Sequence, residues 1–303
     1  MKLLKAIDKL NMWRRGNERA PHKPLLLLYA LAEQVRNPEA KFEFSRVEED
    51  LDALLNEFYK PLGGSRRHHV NDPFWRLRRD GIWVVEHDGE IRETSSSGGV
   101  AYVTDLRKYN ATGLFSEDVV QEIKNNSEIV LQAARKLLDK HFPESLHQDI
   151  LERVGLDYKT ISSEEYLAKR TKRDGKFREK VLHTYEYSCA VCGFNLRMKT
   201  MPVGLEAAHI KWHQHGGPDM ESNGLALCAT HHKLLDSGVM TLSEDYRIIL
   251  SDSIYDPDPE NSFIKKHQNR EIRLPRNRKH FPGMDYIHWH RMQVFREPEL
   301  VLT

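Results

Sequence analysis

Net charge is almost absent from this chain: 46 lysines and arginines face 45 aspartates and glutamates, leaving a formal +1. A whole-molecule basic field that would draw in nucleic acid is therefore excluded, and any phosphate contact must come from local clusters of cations. Cysteine is nearly absent as well, with only Cys189, Cys192 and Cys228. An odd, clustered set argues against a disulfide framework and favours metal binding in a reducing compartment. Long apolar runs are missing too. The longest, Pro24 to Ala32 (PLLLLYALA), is about half the length a bilayer needs and reads as a core helix. The opening MKLLKAIDKLNMWRRG has neither a continuous apolar stretch nor a small-residue cleavage site, so a cytoplasmic protein without membrane partners is expected.

What is present suits a soluble protein of more than one domain: 303 residues, 39% apolar and 30% charged. Local basic clusters do occur, at Trp13 to Gly16 (WRRG), Ser65 to His69 (SRRHH), Trp75 to Asp80 (WRLRRD) and Lys169 to Lys180. Each alone fits a solvated face; together they suggest a surface that tracks phosphates. The first part mixes an amphipathic helix pattern over Arg46 to Tyr59 with a strand-like Gly81 to His87, an α+β composition. A Ser/Gly loop follows at Glu93 to Val100. From Ser116, a plausible helix cap, apolar residues recur at helical intervals. Three regions are expected: a binding domain over 1–115, a helical connector over 116–168 and a second working domain over 169–303.

The second working domain carries the metal chemistry. Cys189-x-x-Cys192 and Cys228-x-x-His231 form two ligand pairs, each on a tight turn, as a closed tetrahedral zinc site requires. The alternative is a set of incidental buried thiols. Such a site is worth roughly 10 to 16 kcal/mol, as much as most domains' whole stability, so Zn²⁺ here would be structural. Four protein ligands leave no position for a reacting water. Interleaved with them stand His209, Asn223 and His232, on a predicted strand, glycine-cornered loop, strand and helix that ends at Gly238. Read without a family, these could be polar residues serving the fold alone. His213 and His215, in the loop, suit solvent or a phosphate.

That order, with A-A-H-I at 207–210, N-G-L-A-L-C at 223–228 and H-H-K-L-L-D-S-G at 231–238, resembles the ββα-metal fold of HNH endonucleases over about Arg178 to Arg247. The resemblance implies His209 as general base for a hydrolytic water, His232 as ligand of a catalytic Mg²⁺ or Mn²⁺, and Asn223 as the residue that fixes the loop. Many such enzymes carry Asp just before the catalytic His, where this chain has Ala208. Glu206 and Asp236 are the candidates to complete the metal shell, the latter four residues after His232 on the same helical face.

Upstream, APHKPLLLLYAL (20–31) and HHVNDPFWRLRRDGIW (68–83) are similar to the DNA sulfur-binding domain of phosphorothioate-dependent restriction endonucleases, which joins an HNH module in this order. On that resemblance the pair at the start of the first long helix is His22 and Lys23, and the proline loop contributes Asp72, Pro73 and Arg76. Asp72 and Arg76 depart from the tyrosine and alanine often found there. Sulfur is larger and less strongly hydrated than oxygen, so Pro73 and aliphatic stems would favour it while Lys23 and nearby arginines hold the phosphate charge. The expectation is a modification-dependent endonuclease acting on double-stranded, phosphorothioated DNA, as a homodimer if both strands are cut. The alternatives are an HNH endonuclease directed to methylated or unmodified DNA and a zinc-stabilised DNA-binding protein without catalysis.

Overall fold

The computed structural model describes residues 1–12, 14–15, 18–19, 21–59, 69–95, 99–157, 176–258 and 262–301. Contacts divide the chain into two compact units, within Met1–Ser162 and Ser163–Thr303. Of the basic stretches, 65–68 and 169–175 lie outside the described residues, as do the side chains of 13–16. No helix among the described residues is long and apolar enough to cross a membrane.

The first unit is built around helix α2 (His22–Arg36), following α1 (Lys2–Asp8) and the short pair β1 (Arg14–Arg15) and β2 (Glu18–Arg19). Leu25 to Leu28, Ala30 and Leu31 are all fully buried, so α2 is buried on every side rather than along one leucine face. Pro24 falls in its first turn, where the missing N–H costs no helical bond. Around α2 pack α3 (Phe44–Phe58), α4 (Asn71–Arg76), and, beyond α5 (Val103–Lys108) and α6 (Glu117–Asn125), α7 (Glu128–His141) and α8 (His147–Val154). An antiparallel sheet in the order β3 (Phe42–Glu43), β5 (Thr112–Phe115), β4 (Trp83–Glu86) closes one side. Phe42, Trp83 and Phe115 meet there, with Trp83 centroids 5.3 and 5.6 Å from the other two. A Cβ at Gly113 would meet the Trp83 ring at 2.1 Å, so the indole fits only over glycine.

Two expectations change here. The helices assigned to a connector bury Val119, Ile123, Ile129, Val130, Leu137, Leu138, Ile150 and Leu151 in the same core as α2, so over 117–154 they are part of the first unit. Ser116 does occupy the position before α6, but its hydroxyl makes no capping bond. The pattern also breaks between α6 and α7, where the Asn126 side chain accepts from the Glu128 N–H (3.1 Å) and starts a new helix.

The second unit opens with a helix over 176–184 and continues through the cysteine turn into strand pairs. These are β6 (Arg197–Met198) with β7 (Met201–Pro202), β8 (Leu205–His209) with β9 (Gly224–Cys228), and β10 (Met240–Leu242) with β11 (Ile248–Leu250). The helix Ala229–Asp236 follows β9 directly, and Gly238, at φ 75°, turns the chain away as expected. Leu205, Ala208, Leu225, Leu227, Leu235, Met240, Ile248 and Ile287 form its core with Phe177 and Val181.

Candidate active site

The strand–loop–strand–helix order expected from the sequence is the one observed, and it fixes each histidine. Strands β8 and β9 pair antiparallel with His209 opposite Gly224 and Leu205 opposite Cys228. All of β9 is buried. Glycine at 224 is forced by packing: a Cβ there would lie 2.4 Å from Val181 and 3.1 Å from Phe177. That close approach lets the Phe177 ring stack on His209, centroids 4.0 Å apart and 14° from parallel. On the ring's edge, His209 Nε2 bonds the Asp219 carboxylate at 2.9 Å. The imidazole is held from two directions.

Asn223 is fully buried and spends its side chain on the loop between the strands. Its Nδ2 donates to the Lys211 and Pro218 carbonyls, both at 3.0 Å, and its Oδ1 accepts from the Lys211 N–H at 2.8 Å. Gly217 makes room for this, since a Cβ there would sit 1.8 Å from the Lys211 carbonyl oxygen. The loop carrying Asp219 is thus pinned at both ends beside His209.

His232 stands between two carboxylates. Its Nδ1 bonds Glu206 on β8 at 2.7 Å, and its Nε2 lies 3.1 Å from Asp236 one turn along its own helix. Burial alone would lower its pKa; Asp236 and Glu206 outweigh that and push it up to about 10. The two acids differ in environment: the Asp236 side chain is 2% exposed and that of Glu206 48%. Glu206 and Ala208 share one strand face, because side chains alternate. Glu206 therefore offers a carboxylate on the face where Ala208 lacks one. Buried behind the ring, Asp236 has the position of an orienting partner.

The four expected zinc donors come together: one donor atom from each of Cys189, Cys192, Cys228 and His231 lies within 4.8 Å of the others. His231 points Nδ1 inward, 3.0 Å from the Cys228 sulfur and 3.7 Å from that of Cys189. Gly193, at φ 75°, closes the first turn, and the Ala190 N–H donates to Ala226 at 2.7 Å, tying the turn to β9. Hydrogen bonding from Cys228 and His231 pulls the Cys189 thiol down, toward the thiolate a metal needs, while the Cys189 hydrogen bond and burial push Cys228 up, and burial pushes Cys192 up. Three sulfurs and one imidazole at this spacing fit a tetrahedral Zn²⁺.

In the first unit, His22 opens α2 with its ring edge-on to Tyr59, centroids 5.4 Å apart. Lys23 is buried, and its Nζ pairs with Asp80 at 2.5 Å. The segment expected as a proline loop is helical: Asp72 and Pro73 lie in the first turn of α4, where proline is tolerated, and Arg76 pairs with Asp72 at 2.5 Å. Burial raises the Asp72 pKa, against the pull of Arg76 and Lys23. Since α4 packs on α2, the His22–Lys23 pair and the Asp72–Arg76 segment belong to neighbouring elements.

With this geometry established, a family model described as the ScoMcrA-like DNA sulfur-binding domain matches residues 1–159, and one for HNH endonuclease matches residues 189–243. The chain belongs to the ScoMcrA-like DNA sulfur-binding family. Its second unit contains the HNH endonuclease domain. No curated protein matches. Among solved structures, the sulfur-binding and SRA domains of ScoMcrA with phosphorothioated DNA share 25% identity at a TM-score of 0.44, over 50% of this chain and 46% of that one. The sulfur-binding domain of SprMcrA, in the same kind of complex, gives 24% and 0.39 over 50% and 91%. The restriction endonuclease ScoMcrA itself gives 25% and 0.40 over 50% of this chain and 27% of that chain. The present chain thus spans less than half the length of the first of these.

Within this sulfur-binding and HNH protein, three contacts escaped the sequence: Asp219 on His209, Phe177 beneath it, and Asp80 on Lys23. Asp219 stands ten residues from its partner in a loop, Phe177 thirty-two and Asp80 fifty-seven. Only the buried position of Phe177 within its helix had a local signal, as an apolar residue four before Val181.

Proposed function

We propose that this protein is a phosphorothioate-dependent restriction endonuclease: the N-terminal unit docks on sulfur-modified duplex DNA and the HNH unit hydrolyses a nearby phosphodiester. One observation carries the reading, the presence in a single chain of both a sulfur-binding and an HNH family match. In this reading His22, Pro73 and the stems of Lys23 and Arg76 line the sulfur pocket, with Asp72 shaping its rim. The Lys23–Asp80 pair means that the Lys23 charge reaches DNA only in part, so sulfur selection rests more on the apolar wall than on that cation.

For cleavage, His209 takes a proton from the attacking water at Nδ1, while Asp219 holds Nε2 and stabilises the imidazolium as it forms. Phe177 keeps the ring from tilting, and Asn223 keeps the loop that presents Asp219. His232 and Glu206 would hold the divalent cation, Mg²⁺ or Mn²⁺, with Asp236 orienting the His232 ring from behind. When bound, that ion supplies charge stabilisation to the scissile phosphate and the leaving oxygen. Cys189, Cys192, Cys228 and His231 would hold Zn²⁺ as a structural ion. A double-strand break calls for two such sites, which a homodimer provides.

The test is His209→Ala and His232→Ala in the full chain. Nicking of modified duplex should fall at least 100-fold, with zinc content and DNA binding unchanged, in keeping with the usual size of general-base effects. Nicking by the His209 variant at the wild-type rate would rule out this catalytic assignment; no nicking by the wild type with either ion would favour a binding protein.

A further inference from the structure

The first unit carries a second cationic surface that sulfur recognition does not use. Helix α1 buries Leu3 and Ile7 and exposes Lys2 and Lys5, with Lys9 just past its end. Spaced three and four apart, these lysines share one face. Arg79, exposed in the turn Leu77–Asp80 that follows α4, faces them across a cleft of about 620 Å³ lined also by Asn11 and Asp80.

The charges in this cleft do not cancel. Lys2 pairs with Asp118 at 2.8 Å, but Lys5, Lys9 and Arg79 have no ion pair among the described residues. The lining carboxylate, Asp80, is already committed. It holds Lys23 at 2.5 Å and accepts from the Asn11 N–H at 3.0 Å, and its side chain is only 4% exposed. Elsewhere on this unit several exposed cations sit against acids, as Lys124 does with Glu39, Lys136 with Asp8 and Arg153 with Glu57, while Lys108 lies over the Tyr109 ring and Lys41 stands apart from the cleft. In a chain of net charge +1, three cations without an ion pair among the described residues, around one concavity, form a focused positive site.

We propose that this cleft binds the sugar–phosphate backbone of duplex DNA flanking the sulfur-bearing linkage, as an anchor blind to sequence and to sulfur. The inference rests on the reading that the first unit docks on DNA. Two features fit a backbone rather than a small anion. From Lys2 to Lys9 the α1 face spans about 10 Å at 1.5 Å per residue, the axial length of about three phosphates on one strand. The surface is also continuous with the expected sulfur pocket: Asp80 in the cleft is bonded to Lys23, and Arg79 follows Arg76 by three residues. Phosphate contacts of this kind set register and affinity, whereas the pocket decides between sulfur and oxygen.

The experiment measures the dissociation constant of the full chain for two otherwise identical duplexes, with and without one phosphorothioate, over a series of salt concentrations. The wild type is compared with Lys5→Gln/Lys9→Gln/Arg79→Gln and with the charge-conserving Lys5→Arg/Lys9→Arg/Arg79→Lys. Each phosphate contact contributes about 0.9 to the slope of log affinity against log salt. The glutamine variant should therefore lose about 2 to 3 from the slope and weaken on both duplexes by the same factor, leaving the sulfur preference intact. The charge-conserving variant should keep the wild-type slope, which separates lost charge from lost fold. An unchanged slope in the glutamine variant would overturn the inference, as would a loss confined to the sulfur duplex or a wild type that binds neither duplex. Equal wild-type affinity for both duplexes, with the slope still falling in the variant, would remove the sulfur reading and leave the anchor standing.

Discussion

The two units reach a stable fold by different means. The first buries a helix on every side and gathers Phe42, Phe44, Phe74, Trp83 and Phe115 beneath a three-stranded sheet. Among the described residues the second has only two-stranded ribbons, which are marginal in water, and its cysteine turn, β9 and ligand helix meet at a cluster of three thiols and one imidazole. Where strands are this short, an ion held by those four donors would supply free energy that apolar burial supplies in the first unit. The difference also suits the division of labour. A rigid apolar scaffold can present a shallow pocket, whereas a catalytic unit must hold histidines and carboxylates against one another, which leaves less room for leucine.

This contrast can be broken most decisively by removing the metal. Chelation of Zn²⁺, or Cys189→Ser, should abolish the cooperative thermal transition of the second unit, because such sites contribute about 10 to 16 kcal/mol. The transition of the first unit should stay where it was, and calorimetry of the full chain reads both. A single transition that shifts as a whole would mean that the units are not independent. The reciprocal change is smaller: Phe74→Ala, at a fully buried ring, should cost the first unit about 3 to 5 kcal/mol and leave zinc content unaltered.

Within the catalytic unit, Glu206→Gln should weaken activation by Mg²⁺ more than Asp236→Asn does. Glu206 is the exposed partner that can meet an ion, and Asp236 is buried behind the ring. Loss of an orienting partner alone is worth roughly 10- to 100-fold. The dependence of the nicking rate on metal concentration distinguishes them, and equal effects would place both carboxylates at the ion.

The smallest expected effect concerns acid. Asp105 receives three hydrogen bonds from Arg92, and these pull its pKa from 3.8 to about 2. A depressed carboxylate stabilises the fold above its ordinary pKa, and that contribution disappears as pH falls toward the folded value. The first unit should accordingly lose stability between about pH 4 and pH 2. Asp105→Asn should flatten this dependence when unfolding midpoints are followed against pH.

Much of this organisation is legible in the sequence because it is local. The leucine run of α2, the spacing of three and four in α3, the alternation of β4 and the two-residue gaps between zinc donors each declare themselves within a few residues. The ββα order is legible for the same reason. What lies further apart is not. An amphipathic pattern says that α6 to α8 bury a face but not against what, so a connector and a core layer look alike until α7 is seen on α2. Pro73 signals a turn or a helix start equally, and only packing on α2 decides for the helix. Asp219 and Asp80 leave no trace in periodicity, since a carboxylate in a loop or a turn is ordinary until its partner is known.

The claim that most of this account rests on is sulfur-directed cleavage, and one paired reaction tests it directly. The chain of 303 residues, with Mg²⁺ or Mn²⁺, is given two duplexes of identical sequence, one bearing a single phosphorothioate, and cut strands are counted over time. Cleavage of the sulfur duplex, with the unmodified one left intact at the same protein concentration, is the predicted result. Equal cutting of both would contradict the account.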